Sequence, residues 1–110
     1  MIPLNSKYTI SMQRARAIVL RALAGEYDLL IACRELSELS GQLPGVKEDV
    51  MDVFSGVASE IDGHPVGEER KHWADAALAE EDIKTNAYRL LMRHVITEAL
   101  QELLVALPEV

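Results

Sequence analysis

The sequence is poor in the residues that would announce a chemistry. One cysteine, Cys33, rules out an internal disulfide framework. One Trp, one Phe and three Tyr leave Leu, Ile, Val, Met and Ala to fill the interior. No apolar run approaches the roughly 18 residues of a membrane span, and no strand signal of alternating β-branched residues bounded by turns occurs. The start, Met1-Ile2-Pro3-Leu4-Asn5-Ser6, lacks a basic segment followed by an apolar one, so no signal peptide is expected. With the lone cysteine, this points to a cytoplasmic protein. Also missing are a G-x-S-x-G elbow, a Gly-rich phosphate loop and a Cys–His pair at useful spacing. No cofactor is implied.

Acid is abundant instead. The net charge of −7 divides into +4 over residues 1–25, which contain no acid, and −11 over residues 26–110. Such a surface repels nucleic acid and anionic lipid and attracts basic partners. The early arginines, Arg14, Arg16 and Arg21, flank an apolar stripe and are expected to pair with acids of a neighbouring helix.

Helical spacing organises nearly the whole chain, predicting one all-α domain over residues 1–110: a compact bundle of about four main helices. The first starts near Thr9 or Ser11, either of which can cap it, and stops at Gly25. Met12, Ala15, Ile18, Val19, Ala22 and Leu23 form its inner face. The second runs from about Tyr27 to Leu39 and buries Cys33 as a small hydrophobe. The third spans about Lys47 to Ser59, and its Gly56 suggests close approach by another helix. After a Pro/Gly loop and a short helical turn up to Trp73, Asp75 is expected to cap a long helix from Ala76 to about Leu107.

In that last helix, Ile83, Ala87, Leu91, Val95, Ala99, Leu103 and Leu107 repeat every four residues. A step of four advances 400°, so the ridge winds around the helix and no single neighbour can cover it. The expectation is that earlier helices cover Ile83, Ala87 and Leu91. Ile96, Leu100, Leu103, Leu104 and Leu107 would then be left for a homodimer through the C-terminal helix, unless an N-terminal arm of Ile2, Leu4, Tyr8 and Ile10 folds across them.

The stretch Ser59 to Asp75 is the centre of interest. Glu60, Asp62, His64, Glu68, Arg70, His72 and Trp73 are the candidate binding residues; none is assigned as catalytic. Two readings compete. In the structural one, Asp62 accepts backbone N–H bonds in the Asp-Gly turn, Arg70 forks onto Glu60 or Asp62, and Trp73 fills the gap to the last helix. In the other, Glu68 and His72 sit i, i+4 on one turn and Asp62 or His64 joins them as ligands of a divalent metal. The weak ligand candidates are Asp62, Glu68 and His72, and Glu60 would join them in a small metal-dependent hydrolase.

The same stretch carries a resemblance. Ser59-Glu60-Ile61-Asp62, Pro65-Val66-Gly67-Glu68, Arg70, Trp73, and Ala77-Leu78 with Asp82 resemble a family of small bacterial helical proteins of unknown function. Leu23-Ala24-Gly25-Glu26 with Leu29 and Leu30, and Arg34-Glu35-Leu36, add to it, and His64 stands where a leucine-like residue is usual. The likeness covers about residues 15 to 90. It implies a bacterial cytoplasmic helical domain centred on 60–78 and assigns no activity. Together these features favour a non-enzymatic module that binds a basic protein partner, most concretely an immunity or antitoxin-type inhibitor of a basic toxin or nuclease domain. The alternatives are the metal-dependent hydrolase and a homo-oligomeric structural protein.

Overall fold

The structure, a computed structural model, describes residues 7–107. Four α-helices account for most of them: α1 (Thr9–Leu23), α2 (Leu29–Ser37), α3 (Glu48–Glu60) and α4 (Asp75–Ala106), with a 3₁₀ turn at Glu68–His72 before α4. No strand occurs among the described residues. The all-α bundle with a long last helix is as the periodicity predicted, with differences at the ends.

Helix boundaries follow the caps that actually form. Gly25, at φ +78°, takes the left-handed position that stops α1. Tyr8, not Thr9 or Ser11, occupies the N-cap, with no side-chain cap bond. Ser11 Oγ instead donates to Gln42 Oε1 at 2.6 Å. Helix α2 starts two residues later than expected because Asp28 is its cap, accepting from the Leu30 N–H at 3.0 Å. Ala74 precedes α4 as N-cap, so Asp75 lies in the first turn, where its charge complements the helix dipole.

Met12, Ala15, Val19, Leu30, Cys33, Leu36, Phe54 and Val57 meet Ile96, Leu100 and Leu103 in one core. Burial pushes the Cys33 thiol up to about 12, so it is an inert core side chain, not a nucleophile. The arginine expectation holds in part: Arg14 reaches Glu35 at 3.6 Å, and Arg21 lies over the Tyr27 ring, 4.5 Å from its centroid.

The expectation for α4 is reversed. Ile96, Leu100 and Leu103 are fully buried and Leu107 nearly so, whereas Ile83, Leu90 and Leu91 are 73, 74 and 75% exposed. The reason is length and placement. The 32 residues of α4 span about 48 Å at 1.5 Å per residue, close to the 51 Å long axis of the molecule. The 15 residues of α1 and 13 of α3 reach only about 23 and 20 Å. Helix α3 runs antiparallel to α4: Val46, Lys47 and Val50 at its start face Glu98 to Ala106, and Glu60 and Ile61 at its end face Lys84 to Tyr88. Its cover stops there, so the first turns of α4 extend past it, while Leu90 and Leu91 lie alongside α3 but on the side of α4 turned away from Ile96, Leu100 and Leu103. The surface the sequence assigned to a dimer is therefore core. Of the covering arm, Ile2 and Leu4 lie outside the described residues, as does Pro108, and Tyr8 packs half-buried against the core. Ile10, its last member, is exposed.

Candidate functional site

The chain leaves α3 at Glu60, turns at Asp62–Gly63, and must travel back to the start of α4. Gly63 sits at φ +86°, a conformation L side chains avoid, which is why the turn falls there. The segment then docks by its middle: Ile61, Pro65 and Val66 are buried, and three polar contacts fasten it.

Arg70 is the first fastening, with a partner other than the one expected. Its guanidinium forks onto Asp82 in the second turn of α4, Nη1 to Oδ1 at 2.6 Å and Nη2 to Oδ2 at 3.0 Å, and Nη1 also donates to the Pro65 carbonyl at 3.0 Å. Glu60 and Asp62 are not its partners. That fork holds the Asp82 carboxyl below the usual carboxylate range. The second is Glu69, which accepts from Arg34 of α2, Nη2 to Oε2 at 3.0 Å. The Arg34 hydrogen bond likewise lowers the Glu69 carboxyl. In the third, His64 Nδ1 lies 2.9 Å from Glu81 Oε2. Glu69 and its partner escaped the sequence reading because Arg34 lies 35 positions away. The available signal was Gly67, where a Cβ would come within 3.0 Å of Glu69 Oε1 and 3.3 Å of Arg34 Nη1.

The remaining candidates face solvent. Glu60, Asp62, Glu68 and His72 are exposed, and Trp73 is 36% exposed on extended backbone rather than filling a gap. The pairing of Glu68 with His72 fails for a geometric reason. In a 3₁₀ turn, three residues per turn put i and i+3 together, and Glu68 meets Lys71 at 3.5 Å instead. Among the described residues, no group of three His, Cys, Asp or Glu side chains is placed to hold a metal ion.

Between the loop and α4 lies a cavity of about 150 Å³ lined by Glu60, Ile61, His64, Lys84, Thr85 and Tyr88. Burial, then the charge of Glu60, push the Tyr88 phenol up. The space suits a few waters, against the roughly 300–1,000 Å³ of small-molecule sites. A larger groove of about 580 Å³ lies at the far end, between the start of α3 and Glu98–Ala106, away from every candidate residue.

What distinguishes this region is the solvent side of α3. Glu48, Asp49 and Asp52 at its start, Glu60 at its end and Asp62 just beyond are all exposed. None has a cationic partner among the described residues, whereas Arg34, Arg70, Lys71, Lys84 and Arg89 are each paired with an acid. Between the acids lie Ser55, Gly56 and Ser59, so that side of the helix is low. A Cβ on Gly56 would meet nothing within 4 Å, so the close approach expected there is not made within the chain. Glu60 stands at the negative end of the helix dipole with no basic residue in the last turn, against the usual preference.

No family model, curated protein or solved structure matched the chain. No helix among the described residues is long and apolar enough to cross a membrane.

Proposed function

We propose that the chain is a non-enzymatic binding module that receives a basic protein partner on the solvent face of α3. The unpaired acids on a low helix surface carry this reading: Glu48, Asp49, Asp52, Glu60 and Asp62 around Gly56. Glu60 at the wrong end of the dipole and Gly56 in a helix interior both work against folding. Departures of that kind are expected where a surface serves a partner. A cationic partner would relieve both the mutual repulsion of the acids and the unfavourable Glu60 position, and the field of the face would speed its approach. The loop motif then has a supporting role. Arg70–Asp82, Arg34–Glu69 and His64–Glu81 fix the end of α3 against α2 and α4, holding Glu60 and Asp62 in place.

The most concrete form of this proposal is an immunity or antitoxin-type protein of the bacterial cytoplasm masking a basic toxin or nuclease domain. A metal-dependent hydrolase is not favoured, because Asp62, Glu68 and His72 do not converge. The test uses two baits in parallel, the wild-type chain and the Asp49→Asn, Asp52→Asn, Glu60→Gln variant. A protein captured by the first is purified, and its association rate with both is measured against salt. The expected result is a basic partner whose association with the wild type slows steeply with salt and is at least about tenfold slower with the variant. A captured partner that binds both equally, without salt dependence, would contradict the proposal.

A further inference from the structure

The groove of about 580 Å³ between the start of α3 and the end of α4 has an apolar floor and acidic sides. Val46 and Val50 form the floor from one side, and Val105 and Ala106 from the other. Val105 is 88% exposed, more than any other large apolar side chain among the described residues. Glu98 and Glu102 line the α4 side. Asp49 stands on the α3 side. It lies eleven residues before Glu60, about three turns and 20° round the helix, so it shares the flank on which Glu60 faces α4. Asp49 and Glu102 have no cationic partner among the described residues, and Glu98 has only the exposed His94 of its own helix, at 3.2 Å. The one cation in the lining, Lys47, stands at the end of the groove where α3 begins. Along α4 the lining runs from Glu98 to Ala106, about 12 Å or two helical turns.

We propose that this groove takes an amphipathic helix of the basic partner, with its apolar stripe on the Val50–Val105 floor and its Lys or Arg side chains on the acids at either side. The proposal rests on the reading of the chain as a module for a basic protein and adds which element of that protein it grips. The form of the occupant follows from the order across the groove, which is acid, apolar, acid. A helix carries cations on both flanks of one apolar stripe and anchors it through i, i+3, i+4 and i+7. An extended strand turns alternate side chains to opposite faces, so its cations would point away from the floor and the acids. The matched charges guide the helix to the groove, and burial of Val105 holds it there.

Two synthetic peptides of about 18 residues, or five helical turns, and of identical Leu, Lys and Ala composition test the proposal. In one, the leucines form a single helical stripe flanked by lysines; in the other they are spread round the helix. Titration calorimetry on the full chain at low salt should show the striped peptide binding at least about tenfold tighter than the other. Its helicity, followed by circular dichroism, should rise on binding. Val105→Lys should weaken its binding by about tenfold or more. Leu90→Lys makes the same charge change at an exposed aliphatic position about 22 Å along α4, and should change binding by less than about twofold. Both variants are checked for retained helix. Absence of binding, equal binding of the two peptides, no gain of helicity, or sensitivity to Leu90→Lys in place of Val105→Lys each overturns the proposal. The Asp49→Asn, Asp52→Asn, Glu60→Gln variant separates this failure from that of the α3 reading. Equal binding of both peptides, lost together in that variant, removes the groove and keeps the acidic face. A captured natural partner indifferent to those acids removes the reading itself, and the groove proposal with it.

Discussion

The two halves of α4 are built from the same residues and treated oppositely. Both carry aliphatic side chains at i, i+4 spacing, yet Leu100 and Leu103 are fully enclosed while Leu90 and Leu91 stand three-quarters exposed. Periodicity therefore states that a helix has an apolar side and not that the side is covered. Cover is decided by which side of α4 faces the bundle: at about 100° per residue Leu90 and Leu91 lie roughly opposite Ile96, Leu100 and Leu103. The start of α4 is held on one flank by the 61–74 segment through Asp82 and Glu81, and its opposite side is exposed.

The largest test of this difference is a pair of identical substitutions. Leu100→Ala should cost about 2–5 kcal/mol of stability, because it opens a cavity in the core. Leu91→Ala, at a three-quarters exposed position, should stay within about 0.5 kcal/mol. Denaturant melts of the two variants check it, and comparable losses would abolish the distinction between the halves.

A second pair separates turn from surface. Gly63→Ala forces a side chain to φ +86° and should destabilise by about 1 kcal/mol, without any clash. Gly56→Ala adds a methyl to open space in a helix and should stabilise by up to about 1 kcal/mol. Opposite signs in thermal melts are expected. A destabilising Gly56→Ala would mean that this side of α3 is occupied within the chain.

The loop fastenings give the smallest effect, and it is confined to acid. The Glu69 and Asp82 carboxyls are lowered by Arg34 and Arg70. Their contribution is full above the ordinary carboxylate values and is lost as pH falls through the lowered ones. Trp73 fluorescence should therefore report loosening of the loop in acid before far-ultraviolet dichroism reports loss of helix. Arg70→Ala should bring the fluorescence change to neutral pH, while Lys71→Ala, whose partner Glu68 is almost fully exposed, should not. A single coincident acid transition, unchanged in Arg70→Ala, would show that the fork does not hold the loop.

Much of the fold was legible because its signals are local. The stripe Met12, Ala15, Val19, Ala22 and the stop at Gly25 can be read within one helix, as can Leu30, Cys33 and Leu36. The loop was legible as a structural clamp but not in its partners. Arg70 could have met Glu60 or Asp62 only if the turn had folded back. The 3₁₀ geometry of 68–72 instead aims it forward to Asp82, and the same geometry separates Glu68 from His72. Glu69–Arg34 and Arg89–Asp28, which join residues 35 and 61 positions apart, leave no local trace. The exposed side of α4 was misjudged because a four-residue repeat shows which side chains share a face and not which face the bundle meets.

Residue-resolved hydrogen exchange along α4 tests the division of this helix most directly. In dilute protein, the amides of Ile96 to Leu104 should open only with global unfolding, and those of Ala79 to Leu90 should exchange at far lower free energy. Uniform protection along α4 would mean that its first half is held as tightly as its second, and would contradict the division.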